Sequence, residues 1–308
     1  MHRMRVLDPS SPAARDLASG RFRIRTATVA DLAAVTVPWM TEAGWNPGLH
    51  DAATFHVADP EGFLVGELDG EPIATVSGVR YSDDFAFLGC YIVREAFRGR
   101  GYGLAIHEAA RRRLDGCVQG GDGVLEKVTV YEGIGRVLAY RNARYEAYGT
   151  GRADDDSSGD SSDDPTVDAR TIPMEAIEAV DRPCFPAPRR AFLEAWIGQA
   201  DAHARALPAA DGPLRGYGVI RRCDRGWKVG PLFAHDVTAA EAILDALLAR
   251  IPRADPWILD IPGPNAAARA LVAGRGMRQV FATARMYTGP APDIDLSRVF
   301  GVTSFELG

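Results

Sequence analysis

The chain has 308 residues, more than the roughly 100 to 200 of a usual single domain, so two domains are expected. Hydrophobic residues make up 46% and charged residues 25%, the mixture of a soluble globular protein. The net charge of -6 argues against nonspecific nucleic-acid binding, which needs a basic surface to displace condensed counterions, and no apolar run approaches the ~20 residues of a membrane span. The first ten residues carry no apolar leader, so the expected location is the cytoplasm. Cys90, Cys117, Cys184 and Cys223 are scattered and the histidines form no cluster, so neither a metal site nor a disulfide framework is expected.

In chain order, residues 1–20 read as a tail and Arg21 to Arg25 as a strand. Thr28-Val29-Ala30-Asp31 has the form of a capping box opening a short helix that Pro38 ends. Gly62 to Leu68 and Ile73 to Val79 are β-branched apolar runs joined by Asp69-Gly70, a hairpin signal. A strand at Phe85 to Val93 follows, then a glycine-rich loop and a helix with Ile106, Ala109, Ala110 and Leu114 on one face. Residues 151–166 are a run of Asp, Ser and Gly that cannot bury apolar surface and repels itself, an exposed linker between domains at 21–150 and 167–308. Beyond it come strands at Tyr217 to Arg221 and Trp227 to Phe233, and a helix opened by Thr238-Ala239-Ala240-Glu241. A strand at Trp257 to Ile261, a helix from Asn265 to Ala273 and a strand at Gln279 to Tyr287 complete the second half. Both halves read as α+β with similar layouts, as after a duplication.

The loop Arg98-Gly99-Arg100-Gly101-Tyr102-Gly103 is the most chemically informative segment. Glycines allow positive φ and close backbone approach, and a helix N-terminus directly after them supplies N–H donors and a favourable dipole for phosphate. A plain strand-to-helix turn would also use such glycines. The spacing departs from a dinucleotide loop, where the third glycine falls later, and a P-loop would need G-K-[ST].

An apolar strand, then R/Q-x-x-G-x-G/A, then a helix is the pattern of the GNAT superfamily, and Phe85–Val93, Arg98–Gly103 and Leu104–Leu114 resemble it closely. The resemblance implies two GNAT-like domains, each a mixed, mostly antiparallel sheet flanked by helices, and acetyl-CoA as co-substrate without a metal. It also implies that Tyr91, Ile92 and Val93 present backbone groups to the acetyl and pantetheine portions, while Arg98, Gly99, Arg100, Gly101, Tyr102 and Gly103 wrap the pyrophosphate. A later GNAT element, a helical tyrosine four residues before a glycine, is matched by Tyr131 and Gly135, which makes Tyr131 the candidate general acid. Arg136 stands where that motif usually has an aromatic residue.

Acetyl transfer needs a neutral amine, a polarised thioester carbonyl and a proton for the departing thiolate. An alkylamine with a pKa near 10.4 is only about one part in a thousand neutral at pH 7, so a carboxylate base or an ordered water helps. Glu42, Asp51, Asp83 and Asp84 are candidates, although each reads more readily as a solvated surface carboxylate, because most acidic residues are exposed. Trp45, in a turn-rich stretch from Glu42 to Asp51, either holds a cationic amine together with Glu42 or Asp51 or anchors a packed surface turn. His50 and His107 read as surface histidines.

The second half repeats the late element around Gly276, but Val272 stands where Tyr131 stands in the first. Its strand-to-helix connection, Ala234-His235-Asp236-Val237, has no glycine and carries a carboxylate that repels phosphate. The chain therefore resembles tandem GNAT proteins with a degenerate C-terminal domain. The expected reaction is transfer from acetyl-CoA to a small-molecule primary amine, with a noncatalytic acyl-CoA sensor or a protein N-terminal or lysine acetyltransferase as alternatives; a homo-oligomer is compatible with the sequence.

Overall fold

The computed structural model describes residues 7–149, 164–210 and 212–308. The acidic linker at 151–166 falls largely outside them. The segment read as a tail contains a helix, α1 (Pro12–Ala18), capped by the Ser11 side chain. It packs on the glycine loop, where the Ala13 amide donates to the Arg100 carbonyl at 3.2 Å.

The first half continues with β1 (Phe22–Thr26) and α2 (Val29–Asp31). The capping box is present, Thr28 and Asp31 each accepting the other's backbone N–H. Pro38 does not end this helix. The chain widens into a π segment at Leu32–Thr36, in which the Val37 amide reaches back to the Leu32 carbonyl, and then continues as α3 (Val37–Glu42). The wider turn accommodates the proline, which lacks an N–H. Next come α4 (Asp51–Ala58), β2 (Phe63–Leu68), β3 (Glu71–Arg80), β4 (Phe85–Val93), α5 (Tyr102–Arg113), β5 (Val118–Val124), α6 (Val128–Glu132) and β6 (Val137–Tyr148). Asp69 and Gly70, both at positive φ, close the hairpin between β2 and β3.

The second half runs β7 (Val167–Asp168), α7 (Met174–Asp181), α8 (Arg190–Gly198), β8 (Ala202–Leu207), β9 (Gly216–Arg222), β10 (Trp227–Ala234), α9 (Val237–Leu248), β11 (Pro256–Pro262), α10 (Ala266–Gly274), β12 (Arg278–Tyr287) and β13 (Val299–Gly301). The N-cap of α9 is Asp236, whose side chain accepts from the Ala239 amide, rather than Thr238.

All these strands form one sheet in the order β1-β2-β3-β4-β5-β12-β6-β11-β10-β9-β8-β7, with β13 on β10. It is mostly antiparallel, with parallel pairs, among the described residues, only at β4–β5 and β10–β11. The last long strand of each half crosses over: β12 pairs with β5 of the first half, and β6 pairs with β11 of the second. Two buried ion pairs fix the crossing. Arg285 on β12 donates to Asp122 on β5 at 2.6 Å, and Arg144 on β6 grips Asp260 on β11 at 2.7 and 2.8 Å. Buried charges of this kind fix register, because a slip would leave each carboxylate unpaired. The hydrophobic core is also shared, with Phe55 of α4 stacked 6.1 Å from Trp196 of α8.

Candidate active site

Strand β4 stays paired with β5 only from Phe85 to Leu88. Beyond that the two strands part, and the register of β4 on β3 shifts where Cys90 takes a positive φ of 46°. The edge of β4 from Gly89 to Val93 thus has no strand partner on the β5 side. It opens onto a cavity of about 770 Å³. A sheet edge with unpaired N–H and C=O groups is the kind of surface that binds an extended, amide-bearing chain.

The glycine loop closes one end. Gly99 and Gly101 lie at φ 72° and 93°, and the amides from Gly99 to Leu104 have no backbone acceptor among the described residues. They converge at the N-terminus of α5, whose dipole favours an anion. Arg98 lines the cavity, its Nε donating to the Val93 carbonyl at 2.9 Å. Gly99, Gly101, Gly103, Tyr91, Ile92 and Val93 line it too. Arg100 and Tyr102 do not. The Tyr102 side chain is buried on the far side, edge-on to Phe22, with its hydroxyl on Asp16, so it offers a ligand only its amide. A Cβ on Gly101 would meet Leu7, Ser11 and Ala13, so bulk there would unseat α1.

Tyr131 stands in the cavity wall, carried by the short α6. Its ring rests on β5 at Gly123, where a Cβ would come within 2.3 Å of it. Burial pushes the phenol's pKa up, so the hydroxyl keeps its proton near neutrality. Beside it Arg136 is buried without a carboxylate partner among the described residues, and NH1 has only the Gln119 carbonyl at 3.4 Å. Desolvation pulls this guanidinium down to about 10. His107 is no surface histidine: it lines the cavity against Tyr91, and burial drives its pKa down to about 4. Burial also raises the Cys90 thiol, which therefore stays protonated.

The acidic candidates separate sharply. Asp51 is fully buried, accepting from Arg221 at 2.9 Å and from the Gly48 amide at 2.7 Å, and lies away from the cavity lining. Asp83 and Asp84 are exposed in the turn between β3 and β4, away from the open edge. Glu42 is exposed and paired with Arg94 at 2.6 Å, while its neighbour Ala43 and Trp45 reach the lining. His50 pairs with Asp201 at 2.8 Å on the surface.

Glu306 and Phe305, with Phe281, Thr283 and Met286, bring the second half into this wall. They were missed because nothing in the local sequence links the last residues to a cavity built around β4. The corresponding opening in the second half is filled. There β13 pairs with β10, and the Val302 amide donates to the Asp260 carbonyl of β11. The Asp236 carboxylate occupies the α9 N-terminus where a phosphate would otherwise bind.

Residues 26–127 match the family model described as Acetyltransferase (GNAT) family, and residues 177–301 that described as Acetyltransferase (GNAT) domain. Holothin acyltransferase of Pseudoalteromonas sp. (strain SANK 73390) is 29% identical over 270 residues, covering 88% of this chain and 89% of its own. Among solved structures, a putative acetyltransferase from Pyrococcus horikoshii superposes with a TM-score of 0.73 at 24% identity, covering 94% of this chain and 96% of its own. A tandem GNAT protein from the clavulanic acid biosynthesis pathway gives 0.54 at 12% identity, covering 88% and 99%. These two likenesses speak to the fold. With a matching family model in each half and an acyltransferase relative spanning both, the chain belongs to the GNAT superfamily and is a tandem GNAT acyltransferase.

Proposed function

We propose that the chain transfers an acetyl group from acetyl-CoA to the primary amine of a small molecule, by direct attack within a ternary complex. The observation that carries this reading is the shared cavity: residues of the glycine loop, whose amides have no backbone acceptor among the described residues, the open edge of β4 and Tyr131 all line one space. In it the phosphates would lie on the Gly99–Leu104 amides with Arg98 beside them, and the pantetheine amides along β4. Backbone N–H groups of the β4 edge would polarise the thioester carbonyl. Tyr131, its proton retained by burial, would protonate the departing thiolate. A protonated Cys90 disfavours an acyl-cysteine intermediate, which needs a thiolate.

One cofactor per chain is expected, because β13 and Asp236 fill the equivalent positions of the second half. The acceptor end is enclosed by Trp45, Phe281 and Phe305, which suits a small molecule better than a polypeptide. A thiol-release assay with acetyl-CoA against alkyl- and arylamines, amino acids, polyamines, aminoglycosides, peptides and holothin, the compound in the relative's name, tests the reading. Turnover with a small amine and a calorimetric stoichiometry of one acetyl-CoA per chain are expected. No thiol release with any acceptor, or two equivalent cofactor sites, would overturn it.

A further inference from the structure

The segment after β13 leaves the second half and ends against β4 of the first. The Glu306 carbonyl is seated so closely over Gly89 that a Cβ there would lie 2.0 Å from it. The Leu307 amide donates to Ser304 Oγ at 3.0 Å, and the Leu307 carbonyl accepts from the Tyr81 hydroxyl at 3.0 Å. Glu306 is thus pinned by its backbone on both sides. Glu306 is among the residues lining the cavity with Gly89, Cys90, Tyr91 and Tyr131, and it is only 4% exposed. Oε2 is buried and has no hydrogen-bond partner among the described residues.

A buried carboxylate oxygen without a donor is costly and calls for a missing partner. The charged and titratable groups around it do not supply one. Arg144 on β6 is engaged by Asp260, and Arg221 on β9 by Asp51. Lys228 on β10 donates to the Trp45 carbonyl at 3.2 Å, and the Cys90 thiol on β4 faces Met40 at 3.9 Å. Neither Lys228 nor the two arginines forms an ion pair with Glu306 among the described residues. The cavity is also polarised: Arg98, Lys127, Arg136 and Arg144 line it, and of its lining carboxylates Asp122 is taken by Arg285 while Glu306 Oε2 has no hydrogen-bond partner among the described residues.

Resting on the acyltransferase reading above, we propose that Glu306, delivered by the second half, is the catalytic residue that binds the acceptor amine and takes its proton. A basic acceptor enters as its ammonium, and Glu306 takes the ammonium proton and passes it to solvent. The neutral nitrogen then attacks the thioester carbonyl carbon, the C–S bond breaks, and the sulfur takes the Tyr131 proton. Solvent carries the N–H proton shed by the attacking nitrogen back to Tyr131, so that ammonium plus thioester become amide, thiol and one proton released to solvent. The duplicated half thereby contributes catalytic chemistry to a site whose cofactor loop lies in the other half.

The test uses the full chain, acetyl-CoA, and two acceptors that turn over in the panel, one a strongly basic alkylamine and one a weakly basic arylamine already neutral at the assay pH. Glu306→Gln should keep its melting temperature and its acetyl-CoA affinity by calorimetry. It should lose about 10²- to 10⁴-fold in kcat/KM for the alkylamine, the range of a lost general base, lose much less for the arylamine, and show no carboxylate limb in its pH profile. Glu306→Asp, which keeps the carboxylate, should restore part of the activity and the limb. It serves as the second variant if the glutamine form does not fold. A glutamine variant within about threefold of the parent, far below that range, or equal losses with both amines, overturns the assignment of Glu306 alone. A parent that releases no thiol with any acceptor overturns the activity itself.

Discussion

Tyr131 and Arg136 flank the same turn and should respond to substitution in opposite ways. Tyr131→Phe keeps the ring on Gly123 and removes only the hydroxyl. If that hydroxyl protonates the leaving thiolate, kcat and kcat/KM should fall together by about 10²- to 10⁴-fold while acetyl-CoA affinity is unchanged. Steady-state kinetics with calorimetry checks this, and turnover close to the parent's would remove Tyr131 from the chemistry. Arg136 instead holds a charge in a place that desolvates it and gives it a single carbonyl partner at 3.4 Å. Replacing such a charge with an apolar residue is commonly neutral or stabilising, so Arg136→Leu should melt at the parent's temperature or above it. His107 adds a pH effect. Burial holds its pKa at about 4 in the folded chain, below the usual 6.5 of an exposed imidazole, so between these two values the unfolded chain binds the extra proton and stability falls as pH falls. The melting temperature should therefore drop less from pH 6.5 to 4 in His107→Gln than in the parent.

At the scale of elements, the crossing of β6 and β12 rests on two carboxylates held by arginines of the incoming strands. Arg144→Met leaves Asp260 buried without its guanidinium, and breaking a buried pair from one side costs about 3 to 5 kcal/mol. Denaturant unfolding should show that loss, and the double variant Arg144→Met, Asp260→Leu should recover much of it. Such crossings are not legible in a sequence, since periodicity reports which face of a strand is buried and not which strand lies beside it. What was legible was local. The hairpin at Asp69-Gly70, the capping box at Thr28, β4 and the glycine loop each announce themselves within a few residues. Strand β5 does not: Val118-Gln-Gly-Gly-Asp-Gly-Val124 is rich in glycine, a poor strand former, and those glycines are needed because Phe87, Arg136 and Tyr131 press against them. Asp51 illustrates the same gap at the site, because its partner Arg221 lies far along the chain. Pro38 misled for a different reason, the π segment before it being invisible to a propensity argument.

The whole molecule behaves as a single sheet over a shared core rather than as two beads on a linker. Residues 7–149 alone would expose the β12-facing edge of β5 and the apolar surface that Phe55, Phe63 and Met40 share with Trp196 and Tyr217. That fragment should aggregate or show no cooperative melt, and co-expression with residues 164–308 should rescue it. A monomeric fragment with a sharp thermal transition and parent-like acetyl-CoA affinity would show instead that the halves are independent.

The exchanged strands also set a timetable. On a ribosome the glycine loop and β4 emerge early, but β5 must wait for β12, and the cavity wall waits longer still for Phe305 and Glu306. Until then an open sheet edge and an incomplete core stand exposed, the condition in which nascent chains depend on chaperones. A chain interrupted between the glycine loop and these residues carries the loop yet lacks a finished pocket. The pocket is therefore finished only after Phe305 and Glu306 have emerged and docked on β4.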